Sequence, residues 1–269
     1  MKKSSTGAGG LSRKLSAILL SAVMLLTGLA LAADNSIYID QAGDNATVTM
    51  NQDGGGNVVR GLPGAGTSNS TPATIYGDGN QVSVSQVGSG NTLKLGINTN
   101  TAVGQSTVNY TTTGMNSNAT IQVGNTQTPS SANTINVTQS GNGSTANVKS
   151  IGAGDTGTIN TAGGANNTAV LGMQGDNITG SITVTGGGAN TVALDLQSPG
   201  GTATVTAAGA TNTVNVQQTG GVNGHQATVD LTGSGNTVGI QQQGSAGDNI
   251  VNLRSVGSSG TFSINQNNR

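Results

Sequence analysis

Apolar and polar residues alternate along this chain in short runs broken by glycine-rich turns. Val82, Val84 and Gln86 share one parity, Val87-Gly88-Ser89-Gly90 interrupts, and Asn91, Leu93 and Leu95 resume on the same side. Ser83, Ser85, Thr92 and Lys94 hold the opposite parity. Side chains alternate faces along a strand, so the first set lines an interior and the second meets solvent. The arrangement recurs in Ala203, Val205 and Ala207 leading to Asn212, Val214, Val216 and Gln218, and in Ala227, Val229 and Leu231 leading to Asn236, Val238, Ile240 and Gln242. Ile135, Val137 and Gln139 followed by Ser144, Ala146 and Val148 repeat it upstream, with serine in place of asparagine.

The template is apolar-x-apolar-x-Gln-x-Gly-x-x-Asn-x-apolar-x-apolar. Its glycine permits backbone angles closed to other residues, and its flanking polar groups suit a tight turn. Asn80, Asn91, Asn167, Asn190, Asn212, Asn223, Asn236 and Asn249 mark loop-to-strand boundaries at intervals that reduce to a unit of 11 to 13 residues, paired into 22 to 24. Such a period predicts an all-β fold, a β-solenoid of the cross-β kind with two short strands per coil. Residues 34–269 then hold about ten coils of ~23 residues, a rod ~50 Å long at ~4.8 Å per layer.

Buried amides need partners for their donors and acceptors. A parallel pile in register supplies them, each amide bonding its like above and below, as in cross-β ladders. The residues expected to form these ladders are Gln41, Gln52, Asn57, Gln86, Asn91, Gln139, Asn212, Gln218, Asn223, Asn236, Gln242 and Asn249. One coil offers too few inward aliphatic side chains, at ~1.5–3 kcal/mol each, to offset the ordering of its backbone at ~1–2 kcal/mol per residue. Stability must come from stacking, with every added layer contributing.

Composition agrees with strands and turns rather than a conventional core: 1% aromatic and 7% charged residues, 45 glycines, and neither cysteine nor tryptophan. Residues 1–33 differ. Lys2, Lys3, Arg13 and Lys14 precede an apolar run from Leu15 to Leu31 that ends in small residues, which reads as a cleaved secretory signal peptide; an uncleaved membrane anchor is the other reading of that run. The remainder carries Arg60, Lys94, Lys149, Arg254 and Arg269 against ten aspartates, so it presents no basic stripe for nucleic acid. The absence of cysteine is compatible with an oxidising compartment.

The stretch 60–73, with Pro63 and Pro72 among Gly, Ser and Thr, reads as an inserted loop, and 96–131 as a run of irregular repeats. Pro129 and Pro199 mark connections as well. Lys94, Lys149 and Arg254 read as ordinary solvated positions or as gatekeepers that slow premature assembly. The chain beyond residue 33 opens on Ile37-Tyr38-Ile39-Asp40-Gln41 and closes on Phe262-Ser263-Ile264-Asn265-Gln266, both with the internal spacing and without a polar cap. Such edges are templates for a second molecule, which predicts end-to-end polymerisation. Loops folding over the ends are the alternative.

Gln52-Asp53-Gly54-Gly55-Gly56-Asn57, Gln86-Val87-Gly88-Ser89-Gly90-Asn91 and Gln218-Thr219-Gly220-Gly221-Val222-Asn223 resemble the curlin repeat, Gln-x-Gly-x-x-Asn. The resemblance covers most of the chain beyond residue 33. It implies a subunit or nucleator of curli, the bacterial extracellular amyloid fibres. A β-solenoid of this kind would be secreted unfolded through a dedicated outer-membrane pore, join a homopolymer at the cell surface, and serve adhesion and biofilm matrix. It implies no cofactor, no nucleic acid and no small-molecule substrate.

Catalytic constellations are not discernible. The chain has one histidine, His225, no glutamate, and aspartates scattered mostly among turns, so it reads as non-enzymatic and without a metal site. Gly43-Asp44-Asn45, Gly175-Asp176-Asn177 and Gly247-Asp248-Asn249 lack the nine-residue tandem period of calcium-binding β-rolls and read as turn formers. An autotransporter passenger would need a C-terminal membrane barrel, and no aromatic-girdled strands of that type close the chain. Threonine rows such as Thr202-x-Thr204-x-Thr206 and Thr111-Thr112-Thr113 raise a rival from another class, a monomeric ice-binding or adhesin solenoid, although the rows look irregular in the sequence.

Overall fold

The structure, a computed structural model, describes residues 34–62, 71–98, 105–124, 130–197, 199–221, 224–245 and 248–268. The apolar run and the expected signal peptide lie outside them. The described chain is all-β, its parallel strands stacked as a β-solenoid of about nine turns. In chain order the strands are β1 (Ser36–Ile37), β2 (Ile39–Ala42), β3 (Thr47–Asp53), β4 (Val58–Gly61), β5 (Ala73–Tyr76), β6 (Gln81–Val87), β7 (Thr92–Asn98), β8 (Thr107–Thr112), β9 (Asn118–Val123), β10 (Thr134–Gln139) and β11 (Thr145–Ser150). They continue as β12 (Thr156–Ala162), β13 (Thr168–Val170), β14 (Ile182–Thr185), β15 (Thr191–Gln197), β16 (Thr202–Ala207), β17 (Thr213–Gly220), β18 (Gln226–Leu231), β19 (Thr237–Gly244), β20 (Ile250–Ser255) and β21 (Thr261–Asn268).

Two sheets face each other. The short sheet runs β3-β6-β8-β10-β12-β14-β16-β18-β20, and the long sheet runs β1-β4-β7-β9-β11-β13-β15-β17-β19-β21. In the long sheet β2 and β5 prolong the layers begun by β1 and β4, since β2 pairs β5 and β5 pairs β7. The chain therefore visits the two sheets in strict alternation, beginning and ending, among the described residues, in the long one.

Register explains why this sequence holds one pairing. Val48, Val82, Val108 and Ile135 align through successive layers, as do Val192, Val214, Val238 and Phe262. A one-residue slip would turn every one of these outward. The inward apolar set forms a single continuous core; Val84, Leu93, Leu95, Ile121, Ile159, Leu194 and Ile240 are all buried in it. Most strands end within a few residues of a glycine that lets the chain turn under the next layer. Gly88 has φ 109°, and a Cβ there would collide with the carbonyl oxygen of Gly114 one layer on.

The layer step is 22 to 24 residues from Thr134 onward, but Thr47 pairs Gln81, Gln81 pairs Thr107 and Thr107 pairs Thr134, steps of 34, 26 and 27. These longer steps account for about nine turns rather than ten. The inserted loop is narrower than 60–73, because Arg60 and Gly61 belong to β4 and Ala73 opens β5. The stretch 96–131, expected as irregular repeats, has long steps yet keeps its inner rows in register where it is described. Val108, Tyr110 and Thr112 face inward in β8, and Ala119, Ile121 and Val123 do so in β9. The template is present there with Thr112 for glutamine and Ser117 for asparagine, while the extra residues fall in the connections after β7 and β9.

Candidate functional site

The turns deliver one inward polar residue to the start of each strand, and in-register stacking converts these into columns. In the long sheet the column holds Asn35, Asn57, Asn91, Ser117, Ser144, Asn167, Asn190, Asn212 and Asn236, those from Asn57 to Asn236 being fully buried. The residue just before each is commonly held at positive φ, as at Gly56, Gly90, Asn116, Asn166, Thr211 and Gly235, which swings the next side chain inward.

Each asparagine ties its layer to the next chiefly through backbone. Oδ1 of Asn35, Asn57, Asn91, Asn167, Asn190, Asn212 and Asn236 accepts the N–H of the residue one layer on, at 2.8–3.1 Å. The Nδ2 groups of Asn57, Asn91, Asn212 and Asn236 donate to the carbonyls of Gly88, Gly114, Gly233 and Gly257 in the following turn, at 2.8–3.0 Å. Amide-to-amide bonds of the expected kind accompany these from Asn91 to Asn57, Asn190 to Asn167 and Asn236 to Asn212, at 3.1–3.2 Å. An asparagine here closes the edge of the turn as well as the gap between side chains, so its buried donors and acceptors are met.

The short sheet has a matching column of more varied chemistry. Asn80 accepts the N–H of Ser106, the Ser106 hydroxyl that of Asn133, and Asn133 that of Asp155, at 2.8–3.3 Å. Asp155 accepts the N–H of Ile178 at 3.1 Å through Oδ1 and the Ser150 hydroxyl at 2.9 Å through Oδ2. Burial pushes its carboxyl above the ordinary range, the two hydrogen bonds pull the other way, and the Asp176 carboxylate adds to the rise. His225 occupies the column in its own layer: Nδ1 accepts the N–H of Asn249 at 3.1 Å, and Nε2 lies 3.1 Å from the Thr219 carbonyl. With Nδ1 accepting, Nε2 is the ring nitrogen left to donate to that carbonyl. Asn223, expected as the ladder residue of this unit, lies outside the described residues, and the register places His225 at the column position instead.

Among the described residues, glutamines make true side-chain ladders only near the two ends. Nε2 of Gln52 donates to Oε1 of Gln86 at 2.7 Å, Gln218 to Gln242 at 2.7 Å, and Gln242 to Gln266 at 3.0 Å. Each donating amide also reaches a backbone carbonyl in the opposite sheet 16 residues earlier, Ser36, Thr202 and Gln226 respectively. Between these ends the same columns carry Met173 and Leu196 in the long sheet and Val184, Ala207 and Leu231 in the short one. Gln139 stands apart from other glutamines. Its Oε1 accepts the hydroxyl of Tyr110 at 3.0 Å, and burial raises that tyrosine's pKa above the ordinary range. Gln41 aligns with Ile75 rather than an amide, and its Nε2 donates to the Gly43 carbonyl at 2.8 Å.

Of the twelve expected ladder residues, the columns thus unite Asn57, Asn91, Asn212 and Asn236, and separately Gln52 with Gln86 and Gln218 with Gln242, while Asn249 joins through His225. Sequence reading missed Asp155, Ser106 and Asn133 as column members; His225, whose parity matches Asn223 and Ala227, reads from the sequence as lining the coil or sitting in the turn. Their one shared signal was parity with the following apolar pair.

Among the described residues no element covers the ends of the core. Ile37, Ile39, Val48 and Met50 at one end and Leu253, Phe262 and Ile264 at the other are only partly buried, whereas their counterparts in internal layers are closed off. Charged groups gather there too. The Arg254 guanidinium lies 3.7 Å from the Asp230 carboxylate one layer inward, and Asp40 accepts the Tyr76 hydroxyl at 2.7 Å. That bond, with some burial and the negative charge of Asp40, raises the Tyr76 pKa. Among the described residues no group of three or more His, Cys, Asp or Glu is arranged to hold a metal. Comparisons with family models, curated proteins and solved structures found no match to the chain.

Proposed function

We propose that this is a non-enzymatic structural protein that stacks end to end into extracellular, curli-like cross-β fibres serving adhesion and biofilm matrix. The observation that carries the reading is the pair of open ends, where the inner columns and half-buried apolar rows run out to the last described strand without a covering element. An uncovered row of backbone donors and acceptors above an apolar face favours addition of another strand. The curlin-like repeats support the same reading and suggest two further partners, a companion fibre subunit or nucleator and an outer-membrane secretion pore.

Incubation of the protein from Asp34 onward tests it. Filaments with a meridional reflection near ~4.7 Å are expected, and replacing Gln86 and Asn91 by Ala should lengthen the assembly lag. A protein that stays monomeric at high concentration would overturn the reading.

One observation favours a second reading. The outward threonines that look irregular in the sequence fall into register: Thr134 beside Thr156, Thr204 beside Thr228, Thr183 beside Thr206, with Thr179 bridging Thr156 to Thr202. Threonine hydroxyls and methyls held in register suit ordered water, as on an ice-binding solenoid. A stable monomer that reshapes growing ice crystals would select this reading over fibre assembly.

A further inference from the structure

Alternation of the chain between the two sheets restricts how one copy can follow another. The described strands begin with β1 in the long sheet and end with β21 in the same sheet, so each copy contributes one layer more to it than to the short sheet. Stacking a second copy without rotation would place β1 beneath β21 but leave β3 two layers from β20, a strand-wide gap with unpaired backbone on both sides. After β21 the next position on the winding path belongs to the short-sheet side. The next copy's β1 fills it only if that copy is turned by half a revolution about the long axis.

We infer that successive copies join head to tail with a half-turn, so that the long sheet of one continues as the short sheet of the next, β20 pairing with β1–β2 and β21 with β3 of the next copy. This inference rests on the fibre reading and specifies its junction. Carrying the observed register forward sets Gln266 on Gln52, which extends the Gln218-Gln242-Gln266 ladder into the Gln52-Gln86 ladder of the next copy. The donor polarity already agrees, since each glutamine donates toward the C-terminal end. Gln266 itself makes the carbonyl bond, to Ile250 at 3.2 Å, that its predecessors make alongside their ladder bond.

The other columns match too. Asn249 meets Asn35, where its Oδ1 can accept the next N–H as Asn35 does for Asn57. Arg254, already beside Asp230, meets Asp40 on its other side and stands between two carboxylates. The half-buried rows cover each other, Phe262 over Val48 and Leu253 over Ile39. In the unrotated stack Asn249 and Arg254 would face the strand-wide gap and meet no residue of the next copy; of these polar matches only that of Gln266, now with Gln41, would persist.

The chain has no cysteine, so paired substitutions report the junction directly. Outward neighbours on adjacent in-register strands lie ~4.8 Å apart, within disulfide reach. Ser263→Cys with Thr49→Cys should, on oxidation of filaments from the protein beginning at Asp34, give a ladder of disulfide-linked multimers on a denaturing gel. Ser263→Cys with Tyr38→Cys, the neighbours of an unrotated stack, should give none. Asn265→Cys with Asn51→Cys repeats the half-turn test two residues along and guards against a local effect of one pair. Filaments that link through the Tyr38 pair, or through none of the pairs, overturn the half-turn while leaving the fibre reading in place. Absence of filaments from the unsubstituted protein overturns both.

Discussion

Nε2 of Gln218 donates to Oε1 of Gln242 at 2.7 Å across one layer, while Oε1 of Gln218 itself is buried without a partner because Leu196 precedes it in the column. The ladder therefore begins at an apolar neighbour and gains a partner with each step outward. Gln242→Leu should leave the Gln218 amide only its bond to the Thr202 carbonyl and deprive Gln266 Oε1 of its donor, costing about 1–3 kcal/mol. Gln218→Leu combined with Gln242→Leu removes both ends of that bond and should cost no more than the single change. Denaturant midpoints of the monomeric protein provide the comparison; additive losses would contradict the ladder.

Asp155 stands in a column otherwise filled by neutral groups, and its burial favours the protonated form. A carboxyl whose folded-state pKa is raised binds protons more tightly when folded, so its contribution to stability is fullest below the ordinary Asp pKa of about 4 and declines as pH rises through the raised value. Asp155→Asn keeps the Oδ1 acceptor for Ile178 and removes the charge. It should raise the melting temperature at pH 7, and the advantage should shrink toward zero below about pH 4, in parallel thermal melts across pH.

His225 substitutes for asparagine by presenting Nδ1 to the Asn249 N–H. His225→Asn should be tolerated, since Asn212 makes the same bond to Asn236 one turn away. His225→Leu should leave that N–H unpaired, costing about 1–3 kcal/mol. Hydrogen exchange should then accelerate in β20 and β21 and remain slow in β10 through β15; uniform acceleration would contradict a local tie.

Gly88 combines positive φ with close approach to the Gly114 carbonyl. Gly88→Ala should therefore lower stability by at least ~1–3 kcal/mol, whereas Ser89→Ala, exposed in the same turn, should stay within ~0.5 kcal/mol. Equal midpoints for the two would show that the turns are not stacked as described.

Parity made the inner rows legible: Val82, Val84, Gln86, Asn91, Leu93 and Leu95 are all buried as their alternation requires. The layer from β8 to β9 was not legible, because Thr112 and Ser117 replace the two marker amides and flanking connections lengthen its period. Nor did the sequence distinguish Asn80, Ser106, Asn133, Asp155 and His225 as one series, since what they share is an acceptor at a fixed height above the next N–H. That equivalence belongs to geometry rather than residue type. The role of Asn91 was half legible. Its burial followed from spacing, but its bond to the Gly114 carbonyl depends on the curvature of the following turn.

Strict alternation between sheets also constrains how such a gene can grow or shrink. Duplication or loss of about 23 residues adds or removes a whole storey and keeps every series of side chains aligned. In the proposed filament an event of half that size would change an odd number of half-storeys into an even one: β21 would still meet β3 of the next copy and Gln266 would keep Gln52, but copies would follow one another without the half-turn, and filament symmetry would switch in a single step.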